Sequence, residues 1–305
     1  MKARTGGPTA VVHTVSKELT MHSSPRTRRI LVAVRILLVM TLVGILGLIG
    51  VGSAATTSAR GGDLGEARPT IVLVHGSFAD ASGFNAVIQR LHELGYTTIA
   101  PPNPLRGLPA DAAYIRSFLD TIEGPIVLAA HSYGGMVITN AATGNPNVKA
   151  LVYINGFAPA DGDSAGGLLA QFPGSMITFE NLTIRPYPTT DPNVSGQEAT
   201  INAGVFREAF AADVSRATAA AMFAMQRPIE LAALGQPSGP PAWATIPSWF
   251  VIGKQDNTIP PDLHRFMADR AHAVRTVELR ASHVVMITHP AAVVRAIVEA
   301  ATYQP

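Results

Sequence analysis

The segment Ala129-Ala130-His131-Ser132-Tyr133-Gly134-Gly135 sets a serine between an apolar β-rich run and a helical pattern. A serine on so tight a strand-to-helix turn stands above the sheet and at a helix N-terminus, the geometry of a G-x-S-x-G nucleophile elbow. Small residues are needed on either side because the turn brings strand and helix close together. Ala130 stands where the pattern has glycine, and Gly134 and Gly135 fill the other side. The bland alternative is a glycine-rich turn carrying an incidental serine. A serine hydroxyl is a weak nucleophile that needs a base, and the base needs an orienting carboxylate. His283 follows the run Val274–Leu279, and Asp256 follows Ser248–Gly253, so all three residues fall at predicted strand carboxyl ends on one rim. Asp161 and Asp163, after Val148–Ile154, are the main other source of the acid, and Asp262 is a weaker one. His289, directly before Pro290, is the rival base and reads better as a structural residue at a helix entrance. His92, His264 and His272 fall in helical patterns and read as surface residues.

Acyl transfer also needs donors for a developing oxyanion. In Leu73-Val74-His75-Gly76-Ser77-Phe78, Gly76 lets the backbone turn toward the serine. The N–H of Ser77 then pairs naturally with that of Tyr133, and His75 reads as a residue that holds this loop by hydrogen bonds. No HExxH or other clustered ligand spacing is present, so no metal is expected. No cofactor is expected either.

The elements that must position these residues alternate. Apolar runs at Thr70–His75, Thr97–Ala100, Ile126–His131, Val148–Ile154, Ser248–Gly253 and Val274–Leu279 are separated by helical patterns. Runs such as Ile71-Val72-Leu73-Val74 are apolar at every position, as strands buried on both faces require. Helices are expected over Gly83–Leu94 (capped by Ser82, stopped by Gly95), Pro109–Ile122, Gly134–Thr143, Pro261–Ala271 and Pro290–Ala300. The pattern predicts an α/β fold, a doubly wound, mainly parallel sheet of about six strands. Between about 158 and 246 the alternation breaks. Prolines and helical patterns near Gln197–Ala211 and Asp213–Gln226 predict a helical cap inserted over the carboxyl edge of the sheet, where such sheets bind ligands. Phe172, Met176, Phe179, Phe206, Phe210, Met222, Phe223 and Met225 lie in it; residues at this spacing mostly pack the cap, and some are candidates to line an apolar pocket.

The 305 residues include 23 basic and 21 acidic ones and no cysteine. Disulfides, thiolate metal sites and a cysteine nucleophile are therefore excluded. Residues 1–60 hold eight of the bases and one of the acids, which leaves 15 bases and 20 acids, a net of −5, for residues 61–305. The basic character belongs to the N-terminus, and no nucleic-acid footprint is expected. Arg26, Arg28, Arg29 and Arg35 precede an apolar stretch from Ile36 to Val51, then Gly52-Ser53-Ala54-Ala55. A basic region, an apolar run and a small-residue exit make a secretory signal pattern. An uncleaved membrane anchor over about 36–55 is the alternative. Either way residues 1–60 read as an address, 61–68 as a linker, and 69–305 as the functional domain, outside the cytoplasmic membrane. The oligomeric state is not encoded in any of these features.

Taken together, these residues resemble the α/β-hydrolase superfamily over about 69–302. The start at His75-Gly76 and the single compact cap resemble the branch of plant methyl esterases, hydroxynitrile lyases and small bacterial esterases. The two strands that usually precede the His-Gly strand have no room in residues 61–69. The resemblance implies a Ser132–His283–Asp256 triad, an acyl-enzyme and a small-molecule ester substrate of small to medium, apolar type. The lyases carry threonine where Gly76 stands and lysine after the catalytic histidine, where this chain has Val284, so hydrolysis is favoured over cyanohydrin cleavage. A cofactor-free lyase or perhydrolase using the same triad, and a non-catalytic ligand receptor with the same fold, are the rival readings.

Overall fold

Runs that are apolar at every position become strands buried on both faces. The computed structural model describes residues 68–304, Pro192 apart; the leader and nearly all of the linker lie outside them. Strands β1 (Thr70–Val74), β2 (Thr98–Ile99), β3 (Ile126–Ser132) and β4 (Val148–Gly156) lead into the insertion. The insertion contributes β5 (Leu182–Pro188), β6 (Ser195–Ile201) and β7 (Ile229–Glu230), after which β8 (Ser248–Gly253) and β9 (Arg275–Leu279) complete the strands of the described residues. The main sheet has the order β2-β1-β3-β4-β8-β9, and every pairing in it is parallel. All residues of β3 and β8 are buried, whereas β9, at the sheet edge, is partly exposed. This is the six-stranded doubly wound sheet that the uninterrupted apolar runs predict.

Helices α1 (Asn85–Glu93), α2 (Leu108–Leu119) and α3 (Gly134–Ala141) connect the first four strands. Helices α4 (Ala165–Gln171), α5 (Ala203–Phe210) and α6 (Arg216–Ala224) belong to the insertion; α7 (Pro261–Arg270), α8 (Val285–Thr288) and α9 (Pro290–Ala301) complete the fold. Two local expectations change. A 3₁₀ turn, Ala81–Phe84, leads into α1, and Asp80, not Ser82, caps it: the Asp80 carboxylate accepts from the Ser82 N–H at 2.9 Å, while α1 itself begins after Phe84 with no side-chain cap. A carboxylate two residues upstream is the better acceptor for the free N–H groups of that turn. The cap domain is also mixed rather than wholly helical. Gln197–Ile201, expected as helix, pairs antiparallel with β5 on one side and β7 on the other. Tertiary pairing of the β-branched Thr200 and Ile201 overrides the helical pattern there, and helix begins only at Ala203.

The cap is tied to the rim of the sheet by hydrogen bonds. The Phe78 N–H donates to Arg227 O at 3.1 Å, the Met176 N–H to Asn257 O at 2.7 Å, and Thr258 Oγ1 to Ala209 O at 2.8 Å. Asp213, between α5 and α6, accepts from the Ser282 N–H at 3.0 Å, from Thr288 Oγ1 at 3.0 Å and from the Ser282 hydroxyl. The loops after β1, β8 and β9 are thus each held by the insertion that covers them.

Candidate active site

Ser132 closes β3 with φ of 54°, in the left-handed region that an L-residue rarely adopts. The β3–β4 register shifts between His131 and Ser132, where the strand leaves the sheet and the chain turns into α3. Such strain persists only where the surroundings over-determine it, and it concentrates at functional sites. Here the surroundings are close-packed backbone. A Cβ on Gly134 would stand 2.6 Å from Val74 O, and one on Gly135 would collide with Phe157 O. A Cβ on Gly76 would stand 2.5 Å from Ser132 Cβ and 2.8 Å from His131 O. Only glycine lets the loop after β1 lie against the serine.

Hydrogen bonds through His75 and Asn103 join that loop to the chain after β2. His75 Nδ1–H donates to Gly76 O at 2.9 Å, and its Nε2 accepts from the Asn103 N–H at 3.0 Å. Asn103 Nδ2 returns a bond to His75 O. The ring therefore works as a neutral one, and burial lowers its pKa accordingly. Among the described residues the backbone N–H groups of Ser77 and Tyr133 have no acceptor. The Tyr133 side chain is anchored below: its hydroxyl donates to Asp111 Oδ2 at 2.9 Å, and Asp111 also accepts from the Arg106 N–H. Burial raises the pKa of both groups.

The structure brings His283 and Asp256 together. His283 Nδ1 donates to Asp256 Oδ2 at 2.7 Å, and both side chains are fully buried. With the proton on Nδ1, Nε2 carries the lone pair, and it has no partner among the described residues. Asp256 Oδ1 accepts the N–H groups of Thr258 at 2.8 Å and Ile259 at 2.9 Å. Burial alone would raise the Asp256 pKa. The attraction of the His283 ring and the bonds from His264 and His283 outweigh it and hold the carboxyl below the usual carboxylate range.

His264 is a correction to the sequence reading. It is not a surface residue: it is fully buried on α7, and its Nε2 donates to the same Asp256 Oδ2 at 3.1 Å. The i to i+8 spacing across a turn and the first turns of a helix hides this contact from any periodicity. His92 and His272 are exposed, as expected. His289 caps the entry to α9 and bonds Thr288 Oγ1. Of the other carboxylates, Asp163 pairs with Arg270 at 2.8 Å, and Asp262, 80% exposed, pairs with Arg265. Asp161 is exposed.

Two further residues, which no sequence pattern marks, fix the histidine loop. Asn155, at φ of 41° near the end of β4, donates from Nδ2 to Ser282 O and His283 O, both at 2.9 Å, and accepts the Gly253 N–H at 2.6 Å. One buried amide thus ties the ends of β4 and β8 to the loop bearing His283. Asn155→Ala is expected to leave the Gly253 N–H and Ser282 O unpaired, with His283 O kept only by its second donor, His131, and to cost about 3 kcal/mol, measured as a fall in denaturation midpoint. An unchanged midpoint would refute the assignment.

His131 donates from Nε2 to His283 O at 3.0 Å, and the two rings stand 4.5 Å apart. Burial first, then the neighbouring His283, hold its pKa well below the ordinary histidine value. The native state therefore stays unprotonated here while the unfolded chain takes up a proton below about pH 6.5, so stability is present above that pH and lost below it. The expected slope is about 1.4 kcal/mol per pH unit between pH 6 and 5 from this residue. Denaturation series at several pH values check it, and the loss should be shallower in His131→Gln.

The serine wall opens on a cavity of about 630 Å³ between sheet and cap. Ser77, Ser132 and Tyr133 form one side, and Leu169, Ile177, Phe179 and Leu234 are among the apolar residues opposite. Of the cap aromatics, Phe179 lines this cavity, while Phe206 and Phe210 are buried and stacked on each other at 5.4 Å. Among the described residues no cluster of His, Asp or Glu is arranged to hold a metal ion.

A parallel sheet of this order, with a strained serine on the turn after its third strand and a cap over the carboxyl edge, is the α/β-hydrolase fold. The chain belongs to the alpha/beta hydrolase family, whose model matches residues 71–296. It is 33% identical over 111 residues to a carbendazim-hydrolysing esterase of Nocardioides sp., an alignment covering 32% of this chain and 46%, less than half, of that protein. It is 24% identical over 255 residues to the α/β hydrolase nvfD of Aspergillus novofumigatus, covering 77% of this chain and 97% of that one. Among solved structures it is similar to polyneuridine aldehyde esterase, with a TM-score of 0.65 at 16% identity over 76% of this chain and 98% of that chain. It is also similar to an extracellular α/β-hydrolase from a Paenibacillus species, with a TM-score of 0.64 at 23% identity over 77% and 100% of the two chains.

Proposed function

We propose that the protein is an exported serine carboxylesterase acting on small to medium, apolar esters. The observation that carries the reading is the buried His283–Asp256 pair with a free Nε2 on the rim that presents Ser132 to the cavity. Ser132 Oγ attacks the ester carbonyl while His283 Nε2 takes its proton. Asp256 fixes the imidazole tautomer and balances the cation that forms. The N–H groups of Ser77 and Tyr133 receive the oxyanion. His283 then gives its proton to the leaving alkoxide, and water, activated by the same ring, hydrolyses the acyl-enzyme.

The mostly apolar cavity supports apolar substrates. Val284, fully buried, stands directly after His283 in place of the lysine of the lyases. The carbendazim-hydrolysing relative and the neighbouring esterases support hydrolysis of a small-molecule ester. Export rests on the basic and apolar pattern of residues 26–55 and on the extracellular Paenibacillus neighbour. A panel of p-nitrophenyl esters assayed beside triglycerides is the test: activity on short and medium acyl chains is expected, and a profile peaking at long-chain triglycerides would contradict the substrate assignment. Sequencing the N-terminus of protein from the culture medium tests export, with cleavage after Ala54, Ala55 or Ala59 as the expected result.

A further inference from the structure

A second cavity, of about 430 Å³, shares a single lining residue with the first, Phe78. Its walls include Phe210, Met222, Met225, Val284 and Met286. Flexible thioethers and an aromatic ring make a soft apolar surface that suits a bulky aromatic or branched hydrocarbon group. Phe78 is itself buried and meets Phe210 edge-on at 6.4 Å; Phe210 meets the His283 ring edge-on at 4.9 Å. The Phe78 backbone is held at φ of 60°, rare for a bulky residue, by its N–H bond to Arg227 O. Its ring is therefore fixed between the two cavities, one residue beyond the Ser77 N–H.

An ester has two arms, and the proposed chemistry sorts them. In the tetrahedral intermediate on Ser132 Oγ, the oxyanion must face Ser77 and Tyr133, which line the first cavity. The alkoxy oxygen must face His283 Nε2, because it accepts the proton as its bond to the carbonyl carbon breaks and the electron pair passes to it. His283 packs on Phe210, a wall of the second cavity. We infer that the second cavity receives the apolar alcohol arm of the ester, and that Phe78 is the partition setting how large that arm can be. The inference rests on the esterase reading and adds to it a leaving-group subsite.

The test measures kcat/KM for two ester series. One varies the alcohol on acetate, from ethyl to 2-naphthylmethyl; the other varies the acyl chain on ethanol, from acetate to octanoate. In Phe78→Ala the naphthylmethyl-to-ethyl ratio is expected to rise about tenfold or more, with the octanoate-to-acetate ratio moving less than about twofold. Met222→Trp, which fills the second cavity, is expected to lower the alcohol ratio by a similar factor, and it reads the subsite even if Phe78→Ala does not fold. An alcohol ratio unmoved in the folded variants, or a change confined to the acyl series, overturns the subsite while leaving the esterase reading intact. Wild-type protein that hydrolyses no member of either series overturns both.

Discussion

Ser132→Ala is expected to lower kcat/KM for esters by about 10⁴-fold or more, with the protein still folded. Alanine adopts the same left-handed φ at the same cost, since it too carries a Cβ, and the backbone packing that enforces the turn lies in Gly76, Gly134 and Gly135. The change removes only an oxygen at the cavity wall. Hydrolysis rates measured beside the melting curve check both halves of the expectation. An active variant would mean that another group attacks the ester.

Asp256→Asn is expected to have an effect of comparable size, a fall in kcat of about 10⁴-fold. The carboxylate accepts four hydrogen bonds, two from backbone N–H groups on Oδ1 and two from imidazoles on Oδ2. An asparagine has only one acceptor oxygen. If its NH₂ takes the Oδ2 position, it needs an acceptor at His283 Nδ1. The ring must then move its proton to Nε2, where it can no longer take the proton of Ser132. If the NH₂ takes the Oδ1 position, it points at two N–H donors. His264→Gln is expected to cost far less, because the Gln amide can still donate while His283 keeps its own bond to the carboxylate. Measuring kcat for both variants on one ester separates the roles: His264 as a positioning residue, Asp256 as the partner of the base. Equal losses in the two would place His264 in a role that donation to Asp256 does not account for.

The parts of the site written in contiguous residues are legible in the amino-acid sequence. The Ser132 turn, the glycine at 76 and the strand ends before Asp256 and His283 all follow from local pattern, and the six apolar runs form the six strands of the main sheet. What stays hidden depends on distance in the chain. Asn155 looks like an ordinary residue at a strand end until the fold brings Gly253 and the 282–283 carbonyls to it. His264 shows the period of an exposed helix residue, yet its ring turns inward to a carboxylate eight positions earlier. Asp213 is a loop acid whose function as an anchor for the histidine loop exists only because the cap folds back over the sheet. The helix expected near Gln197–Ala211 forms only from Ala203 for the same reason, since strand pairing with β5 and β7 decides the conformation of Gln197–Ile201.

Labelling with a fluorophosphonate, read by peptide mass spectrometry, tests the central claim most directly. The reagent bonds covalently to a serine only where a base removes its proton and donors hold the oxyanion, so it reports the assembled machinery independently of the natural substrate. A single adduct on Ser132, absent from Ser132→Ala and strongly slowed in Asp256→Asn, is the predicted result. A wild-type protein that takes no label, or takes it on a different serine while ester hydrolysis proceeds, would contradict the account.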